Sequence, residues 1–557
     1  MIERGLILHP IRMRARWIAG VGIALGLTAC GAGTPQNSVA SGGAGTPSGG
    51  SAGNGGANAN GGTGGTIPPA GDGGASSGGA GAVPSAGGAF SAGAASSGGA
   101  FSGGATSSGG AASSGGNSSS GGTTASAGTT GAGGMEANLP SGVSYLFPPP
   151  DGVGVCPDAP LRIRFAGAPA LGSAGRVQVH DDTGAVVATV DLGVATVTDS
   201  IGGTTFTLPR RAFVDGNDAV FYLKTKALAY GKTYYVTADA SAVRPASGSF
   251  AISDSSTWRF TTKPSAPSGA ALKVALDGSG DFCSVQGAVD AVPANGTITV
   301  SAGTYHEVVH GKGKNGVTLQ GEDRKGTVIA ATNNDDLNPS TSTRSLVGFD
   351  ATTGLVIANL TIHNTTPQDG SQAEALRLQG CDQCVVHDAD ILSLQDTVYW
   401  NGRVYAKNCY IEGNVDYVWG TGAVYFDSCE LRTVGRPGVL VQSRNAAGAY
   451  GYVFVNSKLT ADTAASGNYL GRIDASVYPG SQVAYVDCEM SSVAPAGWTI
   501  TGAPPTSALR FWEYGSHDPS GNAVDVSHRA AGSSQISPAQ AATLRDPSAV
   551  LGGWTPP

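Results

Sequence analysis

The stretch LQDTVYWNGRVYAKNCYIEGNVDYVWG, residues 394–420, decides the fold. Asp396 and Asp416 stand twenty residues apart in it, and Cys409 stands twenty before Cys429. The same spacing recurs more loosely in both directions. The segments IANLTI (357–362), VHDADI (386–391), AKNCYI (406–411), FDSCEL (426–431), FVNSKL (454–459) and YVDCEM (485–490) align without gaps. Their last residues form an apolar column: Ile362, Ile391, Ile411, Leu431, Leu459, Met490. Two places earlier runs a mostly small column: Leu360, Ala389, Cys409, Cys429, Ser457, Cys488. One place before that runs a polar column: Asn359, Asp388, Asn408, Ser428, Asn456, Asp487, mostly residues that tolerate left-handed backbone at tight turns. Columns that return at such intervals mean a solenoid with one coil per repeat. Short β-branched strands with no helical period between them predict an all-β parallel β-helix over 270–557, with loops of varying length absorbing the irregular spacing.

Stacked strands lie about 4.8 Å apart. Asp396 is five residues past Ile391 and Asp416 five past Ile411, so the two acids take the same place on neighbouring coils. Two carboxylates so placed do not ionise equally easily; one is pushed toward its protonated form while a cation can hold the other as the anion. Taken alone, the pair could be two stacked turn residues. Their surroundings favour chemistry. Gln395 and Gln372 are amides able to donate to a developing oxyanion. Arg472 in YLGRIDAS is a fixed, two-pronged cation. Tyr399, Trp400, Tyr417, Trp419 and Trp498 are candidates for flat faces against sugar rings.

Beyond this region the chain changes texture. It has 557 residues, 87 of them glycine, only 13% charged residues and a formal charge of −8, and no basic run follows the first sixteen residues, which excludes nucleic acid as an expected partner. Arg12, Arg14 and Arg16 precede the apolar run WIAGVGIALGLTAC, too short and glycine-rich for a comfortable span. Its end, LTAC, resembles a bacterial lipobox, which implies cleavage before Cys30 and lipidation of that thiol, so residues 1–30 are read as a lipoprotein signal peptide and a lipid anchor to a membrane is expected. Gly31 is not the aspartate associated with inner-membrane retention, and an outer-membrane lipoprotein of a Gram-negative bacterium, or otherwise a secreted protein, is the expected location. Residues 31–141, nearly all Gly, Ser, Ala, Thr and Asn, are expected to form a disordered tether with a root-mean-square span of roughly 55–60 Å. From 142 to 264, short alternating runs such as PLRIRFAG, GRVQVHD and KTYYVTAD predict a β-sandwich. PPPDGVGVCPDAPLRIRF and STWRFTT at its ends resemble bacterial immunoglobulin-like domains.

Within 272–515 the motifs GTYHE (303–307), SQAEAL (371–376), LQDTVY (394–399), VDYVWG (415–420) and YLGR (469–472), with VALDGSGDFCSVQGAVDAVP (274–293) ahead of them, resemble the pectin methylesterase family in content and order. The resemblance implies a right-handed parallel β-helix and hydrolysis of methyl esters on pectin, the polysaccharide partner, to methanol and polygalacturonate. It implies Asp416 as nucleophile, Asp396 as general acid and then base, Gln372 and Gln395 as oxyanion donors, and Arg472 as the partner that keeps Asp416 ionised. No cofactor and no metal are implied, and a monomer is expected. Some members are bridged where Cys409 and Cys429 stand, so a disulfide there, or a stack of free buried thiols, is expected. Cys381 and Cys384 read as a local disulfide or two unpaired thiols. The family commonly follows GR with Pro and Trp, whereas Ile473 and Asp474 follow here. Asp474 adds negative charge near the cleft and is expected to favour heavily esterified stretches. An esterase or thioesterase of other substrates, or a non-catalytic glycan-binding β-helix, remain alternatives.

Overall fold

The computed structural model describes residues 139–367, 371–502 and 508–557. The signal segment, Cys30 and the Gly/Ser-rich stretch up to residue 138 lie outside the described residues.

The first strands, from Val143–Phe147 to Arg259–Thr262, build two main sheets around a core of their own. Val143–Phe147, Leu161–Phe165, Asp218–Phe221 and Ala212–Asp215 form one. Gly152–Val155, Arg259–Thr262, Thr233–Ala238, Arg176–Asp181 and Val186–Asp191 form the other, antiparallel except where Arg259–Thr262 runs parallel to Gly152–Val155. Alternating burial in Leu161–Phe165 and Thr233–Ala238 is the two-sided pattern that the sequence runs suggest. Trp258, fully buried, is pinned by its indole N–H to the Pro148 carbonyl at 2.7 Å. A hairpin, Thr196–Ile201 and Thr204–Pro209, leaves this body and inserts Ile201, Phe206 and Leu208 into the core of the second. Asn338 fastens it there, accepting from the Thr207 amide at 2.8 Å and donating to the Thr207 carbonyl at 2.7 Å.

From Ala271–Val274 onward the chain is a right-handed parallel β-helix. One all-parallel sheet comprises eight strands, from Gly303–Tyr305 to Glu489–Met490. Two further parallel stacks are fused because Leu376–His387 and Val398–Lys407 run through both, with the register shifting between them near Cys381. The apolar column pairs in register as read from the sequence, Ile362 on Ile391, Ile391 on Ile411, Ile411 on Leu431, Leu431 on Leu459 and Leu459 on Met490, and it extends back through Ile329 and Tyr305. Each fully buried Ile or Leu in it contributes about 2 kcal/mol over an exposed one. All six residues of the polar column have positive φ, between 51° and 54°. They turn the chain from one sheet into the next, and asparagine, aspartate and serine take that conformation at lower cost than β-branched residues.

The helices were not foreseen. Val285–Ala291 covers the first coil, with Ser284 as N-cap and Glu307 accepting from the Val285 and Gln286 amides at 2.8 and 3.0 Å. Pro538–Leu544 and Pro547–Val550 lie against the outer face of later coils, where Ala541, Leu544 and Val550 meet Tyr425, Val453 and Val486.

The seven cysteines of the described residues are free and buried. In the structure Cys409 and Cys429 are two buried thiols, each sulfhydryl donating to a backbone carbonyl of the preceding coil, Val386 O at 3.4 Å and Ala406 O at 3.7 Å. Burial and the neighbouring Cys409 push the Cys429 thiol well up. Cys384 likewise donates to Thr352 O at 3.6 Å.

Candidate active site

The fused sheet carries, on neighbouring coils, the strands Val398–Lys407, Val415–Gly420, Val439–Ser443 and Tyr469–Asp474. Just before the first, Gln395 bridges Val415 in parallel, and the Asp396 amide donates to the Val415 carbonyl at 3.0 Å. Asp396 and Asp416 are thus brought to adjoining places on neighbouring coils. Both depart from extended geometry, with φ of 63° and 45°. Aspartate adopts that region more readily than most side chains, at a cost that recurs where function fixes the backbone.

The two acids are 4% and 5% exposed, yet their partners differ. Asp416 receives Arg472: Nε lies 2.8 Å from Oδ1 and 3.0 Å from Oδ2, and Nη2 also donates to Oδ2. Arg472 keeps 45% of its side chain exposed, so the pair borders solvent. Asp396 receives a single longer contact from Arg344 Nη2, at 3.2 Å. Burial first, then the charges of Glu374 and Asp416, push the Asp396 carboxyl well above the usual range, while Arg344 and Arg444 pull against it. The two carboxyls therefore sit in unequal environments, one matched by a guanidinium and one favouring its proton.

Gln372 and Gln395 meet across adjacent coils, where the Ala373 amide donates to the Gln395 carbonyl at 3.2 Å. Both side chains are half-buried. The Gln372 amide oxygen accepts from Arg344 Nη1, which leaves its NH2 group to donate elsewhere.

Of the five aromatic candidates, Tyr399 and Trp419 pair in register on the outer face, ring centroids 4.4 Å apart. Tyr399 is half-buried; Trp419 is 6% exposed, with Arg444 lying 4.8 Å over its ring. The other three require correction. Trp400, Tyr417 and Trp498 are 0%, 0% and 2% exposed and belong to the interior. Alternation along Val398–Lys407 turns Trp400 inward when Tyr399 faces out. Trp400 stacks on Phe426 and, through Phe454 and Tyr485, the ladder reaches Trp498 and Phe511. Tyr417 donates to or accepts from Thr433 at 3.3 Å inside the coil. These side chains build the core beneath the cleft and offer no face to a sugar.

Three residues at the site escaped the sequence reading. Arg344 is 4% exposed and its Nε reaches both Glu374 oxygens at 2.9 Å, while Nη2 reaches Oε1 at 2.8 Å. Glu374 is fully buried; burial pushes its carboxyl up and Arg344 pulls it back. Glu374 stands inside SQAEAL, where a charge between two alanines was itself a signal that a buried cation must face it. Arg344, from the segment 332–346, and Arg444, bonded to Gln442 Oε1 at 2.8 Å, had no such mark.

A buried acid whose carboxyl is pushed up, a second carboxylate matched by a guanidinium, and amides beside them stand together on a parallel β-helix, groups of the kinds that nucleophile-and-acid hydrolysis uses. The family model Pectinesterase matches residues 271–545. Among curated proteins, Pectinesterase 31 of Arabidopsis thaliana is 33% identical over 217 residues, covering 36% of this chain and 68% of the relative. Pectinesterase 2 of Olea europaea is 32% identical over 267 residues, covering 45% and 71%. Among solved structures, the pectin methylesterase from carrot has a TM-score of 0.46 at 26% identity, covering 51% of this chain and 93% of that one. The Aspergillus niger enzyme has a TM-score of 0.44 at 28% identity, covering 52% and 95%. The chain belongs to the pectinesterase family and is a carboxylic ester hydrolase.

Proposed function

We propose that the protein removes methyl esters from pectin, releasing methanol and leaving galacturonate carboxylates, with Asp416 as nucleophile and Asp396 as acid and base. The observation that carries this reading is the unequal pair: Asp416 under the Arg472 guanidinium, and Asp396 buried on the neighbouring coil, where burial and the Glu374 charge push its carboxyl up. Asp416 attacks the ester carbonyl carbon. The oxygen that becomes negative accepts from the Gln372 and Gln395 amides, and Arg344, by occupying the Gln372 oxygen, fixes which end of that amide faces the substrate. Collapse expels methoxide, which takes the Asp396 proton and leaves as methanol. Asp396, now a carboxylate, removes a proton from water; the hydroxide cleaves the acyl-Asp416 anhydride, and both acids return to their starting states. Tyr399, with Trp419 behind it, supplies the flat wall of the sugar cleft. Asp474, exposed on the same strand two residues beyond Arg472 and held by the Ser476 amide at 2.9 Å, sets a negative charge at its rim.

The LTAC segment supports export and anchoring through a lipid on Cys30, with the Gly/Ser-rich stretch as tether and the sandwich as an immunoglobulin-like spacer on a monomeric enzyme. Methanol release from esterified pectin, measured beside Asp416→Asn, tests the chemistry. The wild-type chain should release methanol and the variant should not, at unchanged melting temperature; near-normal release by the variant would remove Asp416 as nucleophile.

A further inference from the structure

Two cysteines far apart in sequence meet where the sandwich joins the first coil. Cys156 directly follows the strand Gly152–Val155, and Cys283 stands two residues before the helix Val285–Ala291. Both are 0% exposed. Cys283, although it belongs to the β-helix by sequence, packs in the core of the sandwich. The two sulfurs and an oxygen of Asp158 lie within 4.8 Å of one another. Contact with the Cys156 thiol is the largest influence raising the Cys283 thiol, ahead of burial. The surrounding joint is bonded from both sides: Lys263 donates to the Gly280 and Asp281 carbonyls, the latter at 2.9 Å.

Such a trio invites a metal reading, but Asp158 is already committed. Its carboxylate accepts from the Cys283 amide at 3.2 Å, the Ser284 amide at 2.9 Å and the Ser284 hydroxyl, holding the start of the helix. Two thiols remain, short of the four ligands that a structural zinc takes. We propose that Cys156 and Cys283 form a disulfide that locks the sandwich to the first coil of the β-helix. In the cell this rests on the export proposed above, since an oxidising compartment allows such a bond to persist. The reaction is thiol–disulfide exchange: a thiolate of one cysteine attacks the disulfide of an oxidant such as glutathione disulfide. The thiolate of the second cysteine then attacks the protein sulfur of the mixed disulfide, breaks its bond to glutathione and expels the second glutathione thiol, so that the two cysteines lose two protons and two electrons while the oxidant leaves as two thiols. The bond forms during folding, before the joint closes over the sulfurs. A chain tethered at its N-terminus transmits any pull into the sandwich, and this bond carries the load across the joint to the enzyme.

The full chain, refolded in a glutathione redox buffer, denatured with an alkylating reagent and digested, should yield a linked peptide pair containing Cys156 and Cys283. Refolding with reductant instead should lower the melting temperature by about 5–10 °C. Cys156→Ser and Cys283→Ser should each melt where the reduced wild type does, with no further loss in the double variant; if a variant does not fold, the reduced wild type supplies the comparison. Recovery of both residues as alkylated thiols from the oxidising buffer, or stoichiometric zinc on unlinked thiols, overturns the proposal. Refolding needs no export, so a chain found in the cytoplasm would remove the bond's setting in the cell, while the refolding result alone decides whether the two cysteines pair.

Discussion

Replacing Glu374 by glutamine should move the alkaline limb of the pH–rate profile to lower pH. Arg344 Nη2 bonds Glu374 at 2.8 Å and Asp396 at 3.2 Å, so the bonded oxygens of the two carboxyls lie no more than about 6 Å apart. After burial, the Glu374 charge is the largest influence raising the Asp396 carboxyl. At about 6 Å and an effective dielectric constant near 20, one such charge is worth about 2.8 kcal/mol, or about 2 pH units. The site borders solvent at Arg472, which screens part of that interaction, and a downward shift of the limb by about 1 unit is expected. The sign follows from the proposed role: with Asp396 as the acid of the first step, rate falls as pH rises through its pKa, and a lower pKa brings that fall earlier. The neutral glutamine also frees Arg344 to favour the Asp396 anion, in the same direction. The assay is kcat/KM for methanol release from highly esterified pectin across pH, with the melting temperature of each variant recorded. An alkaline limb that stays in place, or moves up, in a folded Glu374→Gln protein would refute the assignment of Asp396 as the proton donor governed by this pair.

Tyr399→Ala should raise KM with little loss of stability, whereas Trp400→Ala should cost about 3–5 kcal/mol in denaturant unfolding, because only the second side chain is core. Asp474→Asn should speed turnover of sparsely esterified pectin relative to highly esterified pectin; equal effects on both substrates in methanol release would separate that charge from substrate choice. Burial raises Glu307 to about 7 from 4.5. The folded chain thus holds a proton that the unfolded chain releases, and stability falls by on the order of 3 kcal/mol as pH rises through that window. Glu307→Gln should flatten the pH dependence of unfolding there, as chemical denaturation at several pH values would read.

The coil was legible because a parallel stack forces identical environments at one register. The columns through Ile391 and Asn408 are visible as residue types before any coordinate is known, and the acids at 396 and 416 follow from the same count. Side-chain direction was harder. Trp400 and Tyr417 flank outward residues, and a one-residue change of face separates a sugar wall from a core ladder. Arg344 was hidden for another reason. It reaches the site from the long segment between Thr327–Ala331 and Val347–Asp350, where no periodicity constrains a residue's position. Glu374 could have announced it, since a buried carboxylate needs a cation.

The interior ring ladder from Trp400 to Phe511 gives the molecule its own optical gauge. A solenoid whose rungs lean only on adjacent rungs can unwind from an end, and two shielded indoles, Trp400 midway along and Trp498 near the last coils, would redden in emission in sequence as fraying advances. Fluorescence from single-tryptophan variants could therefore time whether the cleft outlives the C-terminal coils beneath it.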